Sequence, residues 1–225
     1  MHVLSAGAAK AVVTQAARDA GVALEGAFGA VGAMRDKLLA GEPCEVIVLT
    51  RSMLEALGGE GRIDPATLAD LGRVQTGIAV RQGAPRPNIT RADTLASALL
   101  GAESIYVPDL KQSTAGKHIA AMLESLGIAG EVAGRVREFP NGATAMRAMA
   151  DAAGDFAIGC TQVSEILYTE GIALVGPLPD EFELSTLYSA AVCSAAPEPA
   201  KARDFVRFLA GEATARMRSK AGFET

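Results

Sequence analysis

The strongest constraint on this chain is an alternation that begins at its first residues. Short apolar runs are each followed by a turn of small residues and then by a stretch with helical spacing. Residues 1–5 lead through Ala6-Gly7 into a helix over 8–20, with apolar Val12, Val13, Ala16 and Ala17 on one face and Gly21 as its stop. Residues 22–28 read as the next strand, 29–32 as its turn, and 33–40 as a helix closed by Gly41. Residues 45–49 (EVIVL) form a continuous apolar run, as in a parallel sheet covered on both faces. A helix over 51–57 completes three strand–helix units, which implies a doubly wound sheet.

The same grammar continues. Strands are expected at 74–81, 104–107, 156–160, 172–175 and 187–193. Helices are expected at 91–100, 115–126, 141–152, 162–167 and 200–209, with one more at the end. Gly83-Ala84-Pro85-Arg86-Pro87 breaks the pattern and reads as a crossing between lobes. With 225 residues, 49% of them hydrophobic, the chain can build two lobes of about 100 residues each. The expected division is 1–80 with 185–225 as lobe I, and 81–184 as lobe II. The fold class is α/β, two-lobed, with a doubly wound mixed sheet in each lobe and a ligand cleft between them.

Composition removes several functions. A net charge of −5 argues against a general electrostatic grip on nucleic acid. No run approaches the roughly 18 apolar residues of a membrane span, so no membrane insertion is expected. The opening MHVLSAGAAK lacks the charged and apolar regions of a secretory leader. As written, the sequence leads to the expectation of a cytoplasmic protein, or of a periplasmic one if a leader has been removed. Cys44, Cys160 and Cys193 are far apart, and the histidines are His2 and His118, so neither a CxxC nor a Cys/His metal spacing exists. Without a GxGxxG or a Walker loop, no nucleotide is expected, and no cofactor of any kind. A homodimer is left open.

Four turns carry the chemistry: Ser5-Ala6-Gly7-Ala8, Ala30-Val31-Gly32-Ala33, Ser113-Thr114-Ala115-Gly116 and Asn141-Gly142-Ala143-Thr144. Each joins a strand to a helix start, where unpaired N–H groups and the helix dipole favour negative charge. Small residues let an anion approach the backbone closely. Open α/β sheets place ligands at the carboxyl ends of their strands. The expected partner is therefore a small-molecule anion.

On these residues the chain resembles the molybdate-binding proteins of ABC transporters, in the type II periplasmic-binding fold. The matching segments are VLSAGAA, Gly32 to Gly41 with Glu42-Pro43-Cys44-Glu45-Val46, Pro108-Asp109 with Ala115-Gly116, AIGCTQVSEI, and the tail AKARDFVRFLAGEATARMRSKAGF. The resemblance implies lobes that close like a hinge on an oxyanion. The serines and the tyrosine that such proteins direct at the anion stand here as Ala8, Gly32 and Gln162, and a proline stands as Thr114. Lost hydroxyls favour an organic carboxylate over a tetrahedral oxyanion. A signal-less branch of the superfamily resembles the chain more closely, and another branch acts as an isomerase on aconitate. An isomerase of a small unsaturated carboxylic acid is therefore the alternative function.

The expected ligand contacts are backbone N–H groups of Ala8, Gly32 and Ala115, with Lys10, Thr114, Asn141, Thr161 and Gln162 around them. Asn141 and Thr114 also read as helix caps. For the isomerase, the base is sought among Glu165, His118 and Lys10. Glu165 reads more readily as a carboxylate on a helix surface, and Cys44, Cys160 and Cys193 as buried packing residues.

Overall fold

The computed structural model describes residues 1–153 and 156–224. In chain order the elements are β1 (His2–Ala6), α1 (Lys10–Asp19), β2 (Glu25–Gly29), α2 (Val31–Leu39), β3 (Val46–Thr50), α3 (Arg51–Gly59), β4 (Ala69–Arg81), α4 (Ala92–Gly101), β5 (Ser104–Pro108), α5 (Thr114–Ser125), α6 (Ala129–Val132), β6 (Val136–Phe139), α7 (Gly142–Asp151), β7 (Ala157–Gln162), α8 (Val163–Tyr168), β8 (Ile172–Pro177), β9 (Ser185–Val192), α9 (Pro199–Ala210) and α10 (Glu212–Lys220). The chain divides into two compact units, Met1–Val74 with Thr186 onward, and Gln75–Ser185. β4 carries the chain out of the first unit, and β9 brings it back.

In the first unit the strand order is β2-β1-β3-β9. β1 runs parallel to β2 and β3, and β9 runs antiparallel to β3. All five residues of β3 are buried, as its unbroken apolar run requires. Gly21 stops α1 in a left-handed conformation (φ 65°). The N–H groups of Gly21 and Val22 then donate to the carbonyls of Arg18 and Ala17, closing the helix end. That use of Val22 is why β2 begins at Glu25 and not at Val22, as the apolar pattern implies.

The end of α9 is closed from the side. Arg218 on α10 is only 5% exposed. Its Nη1 donates to the carbonyls of Leu209 (3.0 Å) and Gly211 (2.9 Å), and Thr214 donates to Leu209 (2.9 Å). Carbonyls that the last turn of a helix leaves without partners are thereby satisfied. Burial pulls the Arg218 guanidinium below its ordinary pKa.

In the second unit the order is β4-β7-β5-β6, with β8 also pairing β4. β5 is parallel to β6 and β7, and β7 is antiparallel to β4. Alternate residues of β5 go to opposite faces. Ile105 and Val107 pack with Ile78, Ile158 and Cys160 against Leu95 and Leu99 of α4 and Ile119, Met122 and Leu123 of α5. Tyr106 packs with Ala145, Met146 and Met149 of α7 and Ile166 of α8, and its ring stacks on Phe139 at 5.8 Å. This sheet is therefore covered by helices on both faces. β6 has no counterpart in the sequence reading. Its Arg137 and Glu138 are exposed, so it lacks the apolar run that marks a buried strand.

Replacing Arg218 with Met keeps an apolar stem and removes the two guanidinium hydrogen bonds to the Leu209 and Gly211 carbonyls, leaving Thr214 as the side-chain donor to Leu209. The expected loss is about 1–3 kcal/mol in urea denaturation. A change within about 0.5 kcal/mol, ordinary for a surface position, would show that these hydrogen bonds do not hold α9.

Candidate functional site

The helix starts of the first unit share one edge. β2, β1 and β3 are neighbours running the same way, so the turns after Gly29, Ala6 and Thr50 all leave the carboxyl edge of one sheet. After β1 the backbone makes a 3-10 turn over Gly7–Ala9 and enters α1 at Lys10. Ala8 lies inside that turn, 5% exposed. After β2, α2 starts at Val31, so Gly32 is a helical residue and not the end of the expected turn. After β3, α3 starts at Arg51.

Among the described residues, no side chain caps the 3-10 turn, α1, α2 or α3, and none of the four has an acidic residue in its first turn. Two of the helices open on a cation. The Arg51 guanidinium is bound to Glu55 (2.9 Å) and Asp70 (2.8 Å). Partial burial pulls the Asp70 carboxyl upward, but the Ser189 hydroxyl (2.6 Å) and Arg51 outweigh it and hold the group below its ordinary value. The Lys10 ammonium lies 5.8 Å from the centroid of the Phe28 ring, within cation–π range. A cation is disfavoured by the dipole at the position Lys10 occupies.

The second unit treats its helix starts differently. Ser113, not Thr114, caps α5: its Oγ accepts the Gly116 N–H at 3.3 Å. Thr114 is the first helical residue and is half-buried, and Ala115 is 1% exposed. Asn141 caps α7 by accepting the Thr144 N–H at 2.9 Å. The ring Nε2 of His118 lies 2.8 Å from the Phe182 carbonyl, to which it can only donate.

The start of α7 is filled from within the protein. Glu165 is not on a helix surface, as the sequence reading has it, but is 5% exposed. Its carboxylate accepts the Thr161 hydroxyl at 2.6 Å and backbone N–H groups of Ala143, Gly142 and Gln162. The Gly142 and Ala143 donors are orphan groups of α7, and the Gln162 donor belongs to the N-cap of α8, three positions before Glu165. Gly142 has to be glycine here, because a methyl on its Cα would overlap both the Thr161 hydroxyl and the Glu165 carboxylate. Burial raises the Glu165 pKa, and the four hydrogen bonds oppose that shift. The Thr161 hydroxyl, expected to face a ligand, is committed to this carboxylate. Gln162, 3% exposed, is the last residue of β7. Cys160 on the same strand is a packing residue, its thiol pushed up to about 12 by burial.

The two units thus treat their helix starts differently. An internal carboxylate occupies the α7 start, while the four starts of the first unit carry no such group. The signal for this difference is weak in sequence, since nothing local ties Glu165 to Gly142.

The sign of the Glu165 effect follows from its raised pKa. Its contribution to stability is complete below the ordinary carboxylate pKa and is lost as pH rises through the raised value. Stability profiles of wild type and Glu165→Gln from about pH 4 to about pH 8 should therefore differ in slope, with wild type losing more as pH rises. Parallel profiles would mean that Glu165 does not titrate abnormally. Thr161→Val, which removes a donor to the buried carboxylate, should cost about 1.5–3 kcal/mol at neutral pH and less in acid.

Comparison with known proteins adds the family. The bacterial extracellular solute-binding protein family matches residues 1–224. An aconitate isomerase from a Pseudomonas species is 30% identical over 196 residues, which are 85% of this chain and 71% of that protein. Among solved structures, the periplasmic molybdate-binding protein of Azotobacter vinelandii superposes with a TM-score of 0.79 at 18% identity, covering 100% of this chain and 99% of that one. The sulfate-binding protein of Mycobacterium tuberculosis gives 0.73 at 19% identity, covering 99% and 85%. Among the described residues no helix is long and apolar enough to cross a membrane. With the α/β architecture of the type II periplasmic binding proteins and a family match along nearly its whole length, the chain belongs to the bacterial extracellular solute-binding proteins.

Proposed function

We propose that this protein binds a small organic carboxylate through backbone N–H groups at its helix starts. The observation that carries the reading is the uncapped, acid-free set of starts at the carboxyl edge of β2-β1-β3. In this reading the N–H groups of Ala8 and Gly32 meet the anion. Lys10 supplies a full positive charge, and the Phe28 ring holds its ammonium in place. Thr114, the Ala115 N–H and Gln162 are the candidate contacts within the second unit. Thr161 and Asn141 serve the fold around the ligand as donor to Glu165 and cap of α7. An organic carboxylate is favoured over molybdate because Ala8 and Gly32 bring no hydroxyl.

The second reading is an isomerase of a small unsaturated carboxylic acid, supported by the 30% identity to an aconitate isomerase. It needs a base that reaches an acidic C–H. Glu165 accepts four hydrogen bonds while nearly buried, and the His118 Nε2 is engaged by a carbonyl. Because the carbonyl fixes the proton on Nε2, Nδ1 remains as the basic nitrogen of His118, and His118 and Lys10 are the candidate bases of this reading.

A thermal-shift series with molybdate, tungstate, sulfate and di- and tricarboxylates tests both. A ligand at about 100 times its Kd adds nearly 3 kcal/mol, an upward Tm shift of roughly 5–10 °C for a chain of this size. The expected result is a shift with a carboxylate, weakened about tenfold or more in Lys10→Met with the unliganded Tm unchanged. A shift with molybdate or tungstate alone would overturn the carboxylate assignment. Deuterium entering the bound acid from solvent would establish the isomerase, and its loss at saturating acid in Lys10→Met or in His118→Ala would name the base.

A further inference from the structure

Two of the three cysteines belong to one small neighbourhood of the first unit. Cys44 precedes β3 and Cys193 follows β9, and the antiparallel register of those strands (Val46 opposite Val192) brings the two ends together. The Cys193 N–H donates to the Glu45 carbonyl at 2.9 Å, which fixes the backbone there. The Cys44 thiol donates to the Val46 carbonyl at 3.2 Å. The thiols of Cys44 and Cys193 are neighbours that interact with each other, and both residues are buried. Cys160 is in the second unit, deep in its core.

We propose that Cys44 and Cys193 are a disulfide site, reduced in the structure described and closed under oxidising conditions. The first unit is made of two chain segments that are far apart in sequence, and this bond would join them covalently. The reaction is an exchange with a small disulfide such as oxidised glutathione. The two protein thiols lose their protons and two electrons, one S–S bond forms between Cys44 and Cys193, and the reagent's S–S bond is cleaved to two thiols. Attack requires a thiolate. The hydrogen bond to Cys44, and then burial, push the Cys193 thiol far above its ordinary pKa, so the folded protein should react slowly. Closure is expected to be efficient during folding, while the thiols are exposed. A loop spanning most of the chain is the case in which a cross-link most restricts the unfolded state.

The test is to refold the full-length protein from denaturant in a glutathione redox buffer and digest it without reduction. The expected product is a peptide pair linked through Cys44 and Cys193, lighter by two hydrogens than the reduced pair, with Cys160 still free to alkylate. The oxidised protein should melt roughly 10 °C higher than the reduced one. Cys160→Ser should keep this oxidant-dependent shift, and Cys193→Ser should lose it. Wild-type protein that refolds with all three thiols alkylatable, or with Cys160 in the linked peptide, would overturn the proposal, whether or not the serine variants fold.

Discussion

Everything in this molecule turns on what becomes of the N–H groups at helix starts. A strand that feeds directly into a helix leaves up to four backbone donors at the junction, and each needs an acceptor. The two units meet this requirement differently. In the second, Ser113, Asn141 and Glu165 supply protein oxygens. In the first, among the described residues, no side chain caps the starts beside β2, β1 and β3. Donors without a protein side-chain partner are the ones on which the proposed anion binding rests.

The filled start shows how tightly such a network must be built. Glu165 is a buried charge-bearing group, and burial alone would make it costly. Four donors converge on it, one from a hydroxyl and three from backbone, so the arrangement closes α7 and α8 together. The absence of a Cβ at Gly142 creates the space. Packing on the same face of the sheet is also close at Gly159, where an added methyl would strike the end of the Met146 side chain. Small residues in this chain thus have two uses. Some let one stretch of backbone approach another, as Gly116 does at the Asp109 carbonyl, and others admit a neighbouring side chain, and the residue type is the same for both.

Connectivity explains why the first unit is the one to gain from a covalent tie. Its sheet is completed by β9, a strand that arrives only after the whole second unit has been made. The Tyr188 ring on β9 then packs edge-on to Phe223 at 6.2 Å, and Arg218 closes the end of α9. The unit cannot be complete until these late segments dock, so contacts of high sequence separation hold it together.

Local patterns carried much of the architecture. Gly21 and Gly41 stop helices because they alone take a left-handed conformation without strain, and the sequence marks them by their place after an amphipathic stretch. EVIVL announced a strand buried along its length. Charged β6 escaped because an edge strand need not be apolar, and β4 begins before its apolar pattern does. The candidate turns were visible as runs of small residues, since close backbone approach demands them wherever it occurs. Which of those turns is already occupied was not visible. That depends on Glu165 of α8 reaching Gly142 at the start of the neighbouring α7, a pairing made by residues far apart in the chain. Spacing along a sequence encodes a local conformation. Only the folded backbone decides which distant side chain arrives to satisfy it.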